Sequence, residues 1–363
     1  PIFHFDEGMH FPYPQKALET MMTLKELATL LGLSPTTVSR ALNGYPEVNE
    51  DTRRRVQEAA REHDYHPNTR AQSLALGRAM AIGHVIPVST SNEIVNPIFG
   101  DFIAGAGEAY AGAGYDMVLS VVSDDDEAAA YRKLRARQSV DGVILHGPRR
   151  DDPRLPLLAG LQIPFVVHGR ATGTQTPYSW VDVNNKRAIL RATQFLMDLG
   201  HRRIGLINGR EDMDFALRRR AGYVEALSLA GQDADPALMH SAEMSETEGH
   251  RAARAMLALP QPPTALVVSS IVSAIGVRRA ADEMGLVLGR DLSVVAYDDD
   301  ISYLRNGDEV PLFTAMRSSV RDAGRRAARM LIDLIEHPAS APRSEMLEAT
   351  LHLGLSTGPA PRA

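Results

Sequence analysis

The sequence predicts an α + α/β chain, with a small helical unit carrying a helix-turn-helix near the N-terminus and a two-lobed α/β domain after it. Three observations carry that prediction. Thr23 to Asn43 reads as two short helices meeting at a sharp turn, and from Ala81 onward short apolar runs alternate with amphipathic helices in two successive series. A chain of 363 residues also exceeds what a single hydrophobic core organises, so two or three domains are expected.

In TLKELATLLGLSPTTVSRALN, residues Leu24, Leu27, Ala28 and Leu31 recur at helical spacing and form one apolar stripe. Gly32 ends that helix. Ser34 is an N-cap for the next one, and Pro35 takes its first position, where a missing N–H costs nothing. The second helix, Pro35 to Leu42, buries Val38 and Ala41, so Thr36, Thr37, Ser39 and Arg40 face outward. Short hydroxyls suit phosphates and base edges, and an arginine suits the paired acceptors of guanine, so this face fits a helix entering the major groove. The plain alternative is an αα-hairpin with a solvated polar face.

Asn43 to Pro46 reads as a loop, after which Asn49 caps a third helix, Asp51 to His63, with Val56, Ala59 and Ala60 inward. Residues 68–77 have too little apolar surface to fold alone and read as a linker. Beyond them, AIGHVIPV, YDMVLSVV, DGVILHG and PFVVHG, then RIGLING, TALVVSS and LSVVAYD, are too continuously apolar for a sheet with one wet face. They predict two parallel sheets flanked by helices, hence two lobes. A helix from Val320 to Glu336 and a last strand, MLEATLHL, close the chain.

Composition narrows the function. The net charge is −6, distributed as −2 over residues 1–20, +1 over 21–78 and −5 over the rest, so any nucleic-acid signal comes from the placement of cations rather than their excess. With no cysteine, disulfides and thiolate metal sites are excluded, and no metal or cofactor is expected. No run approaches the roughly 18 apolar residues of a membrane span, and the first 20 residues lack a basic start before an apolar core. A cytoplasmic protein with no membrane partner is expected. Residues 1–21 show no periodicity and are expected to be a disordered extension, with a natural start at Met21 or Met22.

Three linked blocks, TLKELATLLGLSPTTVSRALNG, VNEDTRRRVQEAAREHDYHPN and AQSLALGR, resemble the headpiece and hinge of the lactose/galactose repressor (LacI/GalR) family. The resemblance implies a homodimer that presents two recognition helices to an inverted-repeat operator in double-stranded DNA. Thr36 and Arg40 would read bases, while Thr23, Ser34, Thr37, Ser39, Asn43 and Thr52, around the Pro35 helix start, would position the headpiece on phosphates. Asn68, Ala71 and Leu74 would belong to a hinge helix that orders on DNA, with Leu74 wedged into a minor-groove base step. It also implies a periplasmic-binding-protein-like effector domain. The expected organisation is a headpiece over 22–67, a hinge over 68–79, a first lobe over 80–184 plus 316–336, and a second over 185–315 plus 337–363.

In such a domain the ligand lies outside the carboxyl ends of the strands. Residues just past those ends are His146, Asp152, Arg170, Trp180, Asn184, Asn185, Ser269, Ser270 and Asp298, joined by Arg219 from the RRAGY turn of a helix. Carboxylates, guanidinium groups and a ring suit a polyol. The resemblance singles out Arg219 and Asp298 as effector ligands. The chain departs from the family with Ser270-Ile271 in place of an Asn-Asp pair, and with Met244 where an aromatic often stacks. The segments PRRDDPR, VVHGR and YSWVDVNN resemble regulators of α-glucoside or α-galactoside use, so a small sugar, a disaccharide first, is the expected effector. Two alternatives remain: a free-standing sugar-binding protein, and a co-repressor-dependent regulator answering a non-sugar metabolite. An enzyme is not expected, because Gly105-Ala-Gly107 falls inside a predicted helix, not at a phosphate-binding turn, and no P-loop or nucleophile elbow is present.

Overall fold

A computed structural model describes residues 22–42, 44–65, 77–87, 97–123 and 126–361, and the chain divides after Gly77 into two units. The first contains α1 (Leu24–Leu31), α2 (Pro35–Leu42) and α3 (Glu50–Glu62). Thr23 opens α1 with a capping box: its Oγ1 accepts from the Glu26 N–H at 3.3 Å while the Glu26 carboxylate accepts from the Thr23 N–H at 2.7 Å. Gly32 ends the helix at φ 65°, a left-handed conformation that a side chain would strain, and thereby sets the turn into α2. Asn49 caps α3 through its Oδ1, which accepts from the Thr52 N–H at 2.8 Å. Leu27, Ala28, Val38, Ala41 and Val56 form the enclosed centre. The hinge residues Asn68, Ala71 and Leu74, and Asn43 in the loop, lie outside the described residues.

The second unit runs β1 (Ala81–Pro87), α4 (Pro97–Ala113), β2 (Asp116–Val122), α5 (Glu127–Arg137), β3 (Gly142–His146), α6 (Arg154–Gly160), β4 (Phe165–His168) and β5 (Ser179–Val183). It then crosses to α7 (Asn185–Asp198), β6 (Ile204–Asn208), α8 (Asp214–Leu229), β7 (Met239–Ser241), α9 (Glu246–Leu257), β8 (Ala265–Val268), α10 (Ile271–Glu283), β9 (Ser293–Asp298) and β10 (Thr314–Arg317). Helix α11 (Val320–Glu336) and strand β11 (Ser344–Leu347) return to the first lobe before β12 (Thr350–His352) ends in the second. The sheets run β11-β5-β4-β3-β1-β2 and β12-β10-β9-β8-β6-β7. Within them only β12 is antiparallel to its neighbour.

Two expected boundaries need correction. Met316 and Arg317 belong to β10 in the second sheet, so the chain re-enters the first lobe only after them. The segment MLEATLHL is not one strand of the second lobe: Ser344–Leu347 pairs with β5 in the first sheet, and only Thr350–His352 joins the second. Its alternating pattern is continuous, but Ala349, 2% exposed, marks the point where the chain changes sheets.

At several helix crossings the backbones pack so closely that only glycine fits. Gly105 of α4, which superficially resembles part of a nucleotide loop, lies inside the helix, where an added Cβ would sit 1.9 Å from the Arg321 carbonyl oxygen of α11. In the second lobe a Cβ on Gly276 would come 1.9 Å from the Glu246 carbonyl oxygen, while one on Gly249 would come 2.1 Å from that of Ser273. Backbone cannot yield as a side-chain tip can, so Gly276→Ala is expected to cost about 2 kcal/mol of stability. Urea unfolding reads this as a lower midpoint, and an unchanged midpoint would mean that α9 and α10 separate freely.

Candidate functional site

Between the two lobes, outside the carboxyl ends of the strands, lies a cavity of about 240 Å³. A polar network runs along it from one lobe to the other. Arg170, just past β4, donates through Nε to Asp182 of β5 at 2.7 Å. Asn185, at the start of α7, donates to the same carboxylate at 3.2 Å and accepts from Arg219 Nε at 2.8 Å. Arg219, 5% exposed on α8, also donates to the Ser269 carbonyl at 2.6 Å and lies 3.9 Å above the Tyr297 ring. Ile98, Phe99, Phe102, Met213 and Val320 supply apolar wall.

Three of the arginines lining this cavity are paired with carboxylates. Arg154 is held by Asp152 and Glu127, Arg170 by Asp182, and Arg210 by Asp212 and Glu243. Burial pushes the Asp182 carboxyl up despite Arg170. Burial also pushes Asp299, which lines the cavity, up to about 7, with Arg219 opposing the shift and Asp298 adding to it. His146 and His168 line the cavity with His84 behind them, and burial pushes His84 down to about 3, His168 to about 4 and His146 well below the ordinary imidazole range. At neutral pH all three are uncharged.

For Asp299 the consequence for stability has a definite sign. An unfolded chain releases this proton near pH 4, whereas the folded chain holds it to about 7. The group's contribution is therefore full below about pH 4 and lost as pH rises through 7. Asp299→Asn is expected to flatten the fall in urea midpoint between about pH 4 and pH 7. An unaltered slope would mean that the carboxyl titrates in its ordinary range.

Of the residues expected at the site, His146, Arg170, Asn185 and Arg219 line the cavity. Six do not. Ser269 gives its carbonyl to Arg219 and donates its hydroxyl to Asn208. Asp152 is 1% exposed and spent on Arg154 and on the Arg149 and Arg154 N–H groups, so it builds the lip rather than the wall. Trp180 packs with the first-lobe core, with the Arg170 guanidinium 5.0 Å from its ring. Asn184 caps α7 and donates to Glu348. Ser270 caps α10 through the Val272 N–H. Asp298 accepts from the Asp300 N–H at 2.9 Å, while its neighbour Asp299 takes the wall position. Phe99, Phe102, His168, Asp182, Tyr297 and Asp299 were not expected there. Strand alternation gives one available signal, since Tyr297 and Asp299 share a face two residues apart.

The lobes are also tied across the mouth. Asp214 of α8, 1% exposed, accepts from the Thr172 N–H and, at 3.1 Å, from the Thr172 hydroxyl, which in turn accepts from Arg218 at 3.1 Å. On another side, Asp101 of α4 accepts from the Ser302 N–H at 2.7 Å.

In the first unit, Thr36 and Arg40 are exposed on the outer face of α2. The Ser34 and Thr37 hydroxyls lie 2.8 Å apart, and Ser34 Oγ also accepts from the Thr37 N–H. Ser39 is half-buried. Among the described residues no group of three His, Asp, Glu or Cys side chains is arranged to hold a metal ion, and no helix is long and apolar enough to cross a membrane.

A helix-turn-helix unit followed by a two-lobed domain with a polar cleft defines a ligand-responsive DNA-binding regulator. Residues 23–68 match the family model of bacterial regulatory proteins of the lacI family, and residues 193–357 that of a periplasmic binding protein-like domain. The chain is 46% identical to the HTH-type transcriptional regulator AglR of Rhizobium meliloti, covering 94% of this chain and 95% of that protein. It is 33% identical to RafR of Escherichia coli over 86% of this chain and 92% of the relative. Among solved structures it resembles a complex of the regulator CelR with cellobiose, at TM-score 0.69 and 30% identity, covering 92% and 99% of the two chains. It also resembles the lac repressor dimer bound to operator and the anti-inducer ONPF, at TM-score 0.79 and 26% identity, covering 93% and 99%. The chain belongs to the LacI family and is a DNA-binding transcriptional regulator.

Proposed function

We propose that this protein is a repressor that binds an inverted-repeat operator as a homodimer and releases or grips it according to a neutral disaccharide held between its lobes. The carrying observation is the network Arg170–Asp182–Asn185–Arg219, which spans both lobes and offers paired polar groups beside an aromatic wall. Such a lining suits vicinal hydroxyls and the apolar face of a sugar ring, and the carboxylates already paired with Arg154, Arg170 and Arg210 disfavour a phosphate or carboxylate ligand. The cellobiose complex of a relative at 30% identity supports the disaccharide class. On this reading Thr36 and Arg40 read bases, and Thr23, Ser34, Thr37, Ser39 and Thr52 meet phosphates. The protein works in the cytoplasm by binding alone, without catalysis.

The test is a gel shift on the DNA upstream of its own gene, with and without disaccharides. A retarded band whose intensity changes with one sugar is the expected result. A band indifferent to every sugar would move the effector to another chemical class, and no retarded band on any duplex would remove the operator reading.

A further inference from the structure

Behind the first-lobe wall of the cleft, three side chains run in line from the interior to the cavity. Tyr110 of α4 is 1% exposed, and its hydroxyl lies 3.0 Å from His84 Nε2. His84, fully buried in β1, has Nδ1 2.9 Å from His146 Nε2. His146 ends β3 and lines the cavity, edge-on to Phe99 and Phe102.

One arrangement of protons satisfies the whole row. Among the described residues the Tyr110 hydroxyl hydrogen has a single acceptor, His84 Nε2, and leaving a buried donor unpaired costs its full desolvation. An uncharged imidazole that accepts at Nε2 carries its hydrogen on Nδ1, so His84 donates to His146 Nε2. By the same rule His146 carries its own hydrogen on Nδ1. Burial excludes the doubly protonated ring at neutral pH for both histidines. Among the described residues no protein group accepts the His146 Nδ1 hydrogen, and the ring itself lines the cavity.

We propose that His146 presents Nδ1–H to the cleft as a fixed, uncharged donor for an acceptor oxygen of the carbohydrate, with Tyr110 and His84 as positioning residues that set its tautomer. The ligand half of this rests on the disaccharide reading; the tautomer half does not. A donor locked from behind cannot turn acceptor to suit a different ligand, so it favours an effector with a ring, glycosidic or hydroxyl oxygen at that point and penalises one bringing an N–H there.

Nitrogen-15 histidine labelling of the full chain near pH 7 reads the tautomers directly from long-range proton–nitrogen spectra. Hydrogen on Nδ1 of both His84 and His146 is expected; hydrogen on Nε2 of either overturns the relay. Tyr110→Phe should give mixed tautomers at both rings, an effect that a hydroxyl serving packing alone would not produce, and unchanged spectra would remove Tyr110 from the row. For the ligand half, cellobiose, maltose, trehalose, sucrose and melibiose are titrated by thermal shift. His146→Phe keeps a ring in the wall and should weaken the best of these about tenfold, whereas equal affinity overturns the donor role. If no sugar moves the wild-type melting curve, the carbohydrate reading fails and takes the ligand half with it. The nitrogen spectra judge the tautomer independently.

Discussion

Arg219→Ala is expected to abolish the effector response while leaving operator binding intact. Arg219 holds Asn185 and the Ser269 carbonyl and stacks on Tyr297, so one truncation removes the middle of the network that joins the lobes. Truncating one partner of a buried, charge-assisted set costs about 2–5 kcal/mol in ligand affinity, or roughly 30-fold to more than 1000-fold. The loss also leaves Asp299 without its opposing cation, favouring its neutral form. Isothermal titration with the responding sugar, paired with a gel shift, separates the outcomes. Undiminished sugar affinity would count against the assignment, and loss of both activities would point to misfolding. Arg219→Lys keeps the charge without the planar fork and should fall between the two.

Arg40→Ala should weaken operator binding by about 1–3 kcal/mol for each half-site, and by up to twice that in a dimer reading both halves. Arg40 is exposed on α2 next to the hydroxyl face, whereas Val38 and Ala41 on the opposite side close the small core. Removing it therefore leaves folding untouched. The loss should concentrate on one base position of the operator: variants at that position would bind the mutant equally, while non-specific affinity for random duplex changes little. A uniform loss across all sequences would instead make Arg40 a phosphate contact.

What could be read from the sequence depended on whether the signal was local. Helices α1 and α2 were legible because a cap, a left-handed glycine and a first-turn proline all lie within Thr23–Leu42. The parallel sheets were legible because strands covered on both faces are apolar throughout. Helix α6 was not foreseen, being only 7 residues long with Pro156 inside it. The division of MLEATLHL between two sheets was hidden because each half alternates like a single strand. In the cleft, strand ends gave the neighbourhood but not the residue. Asp298, Asp299 and Asp300 are equivalent in composition, and the pleat that turns Asp299 inward is set by where β9 ends. Asp152 and Trp180 have suitable chemistry, but Asp152 is spent on Arg154 and the backbone beside it, and Trp180 packs with the first-lobe core. Burial beneath Phe102 likewise changes the histidines from potential cations into neutral dipoles, which spacing alone cannot reveal.

The bonds from Thr172 to Asp214 and from Asp101 to Ser302 each run from one lobe to the other, so separating the lobes breaks them together. On the proposed reading, a sugar bound at Arg219 enters once these bonds have opened. Its capture rate should then level off at high sugar concentration, at the frequency with which the mouth springs apart, while Asp214→Ala lifts that plateau. Stopped-flow fluorescence of Trp180, the sole tryptophan, beside Arg170, offers a native reporter of the event.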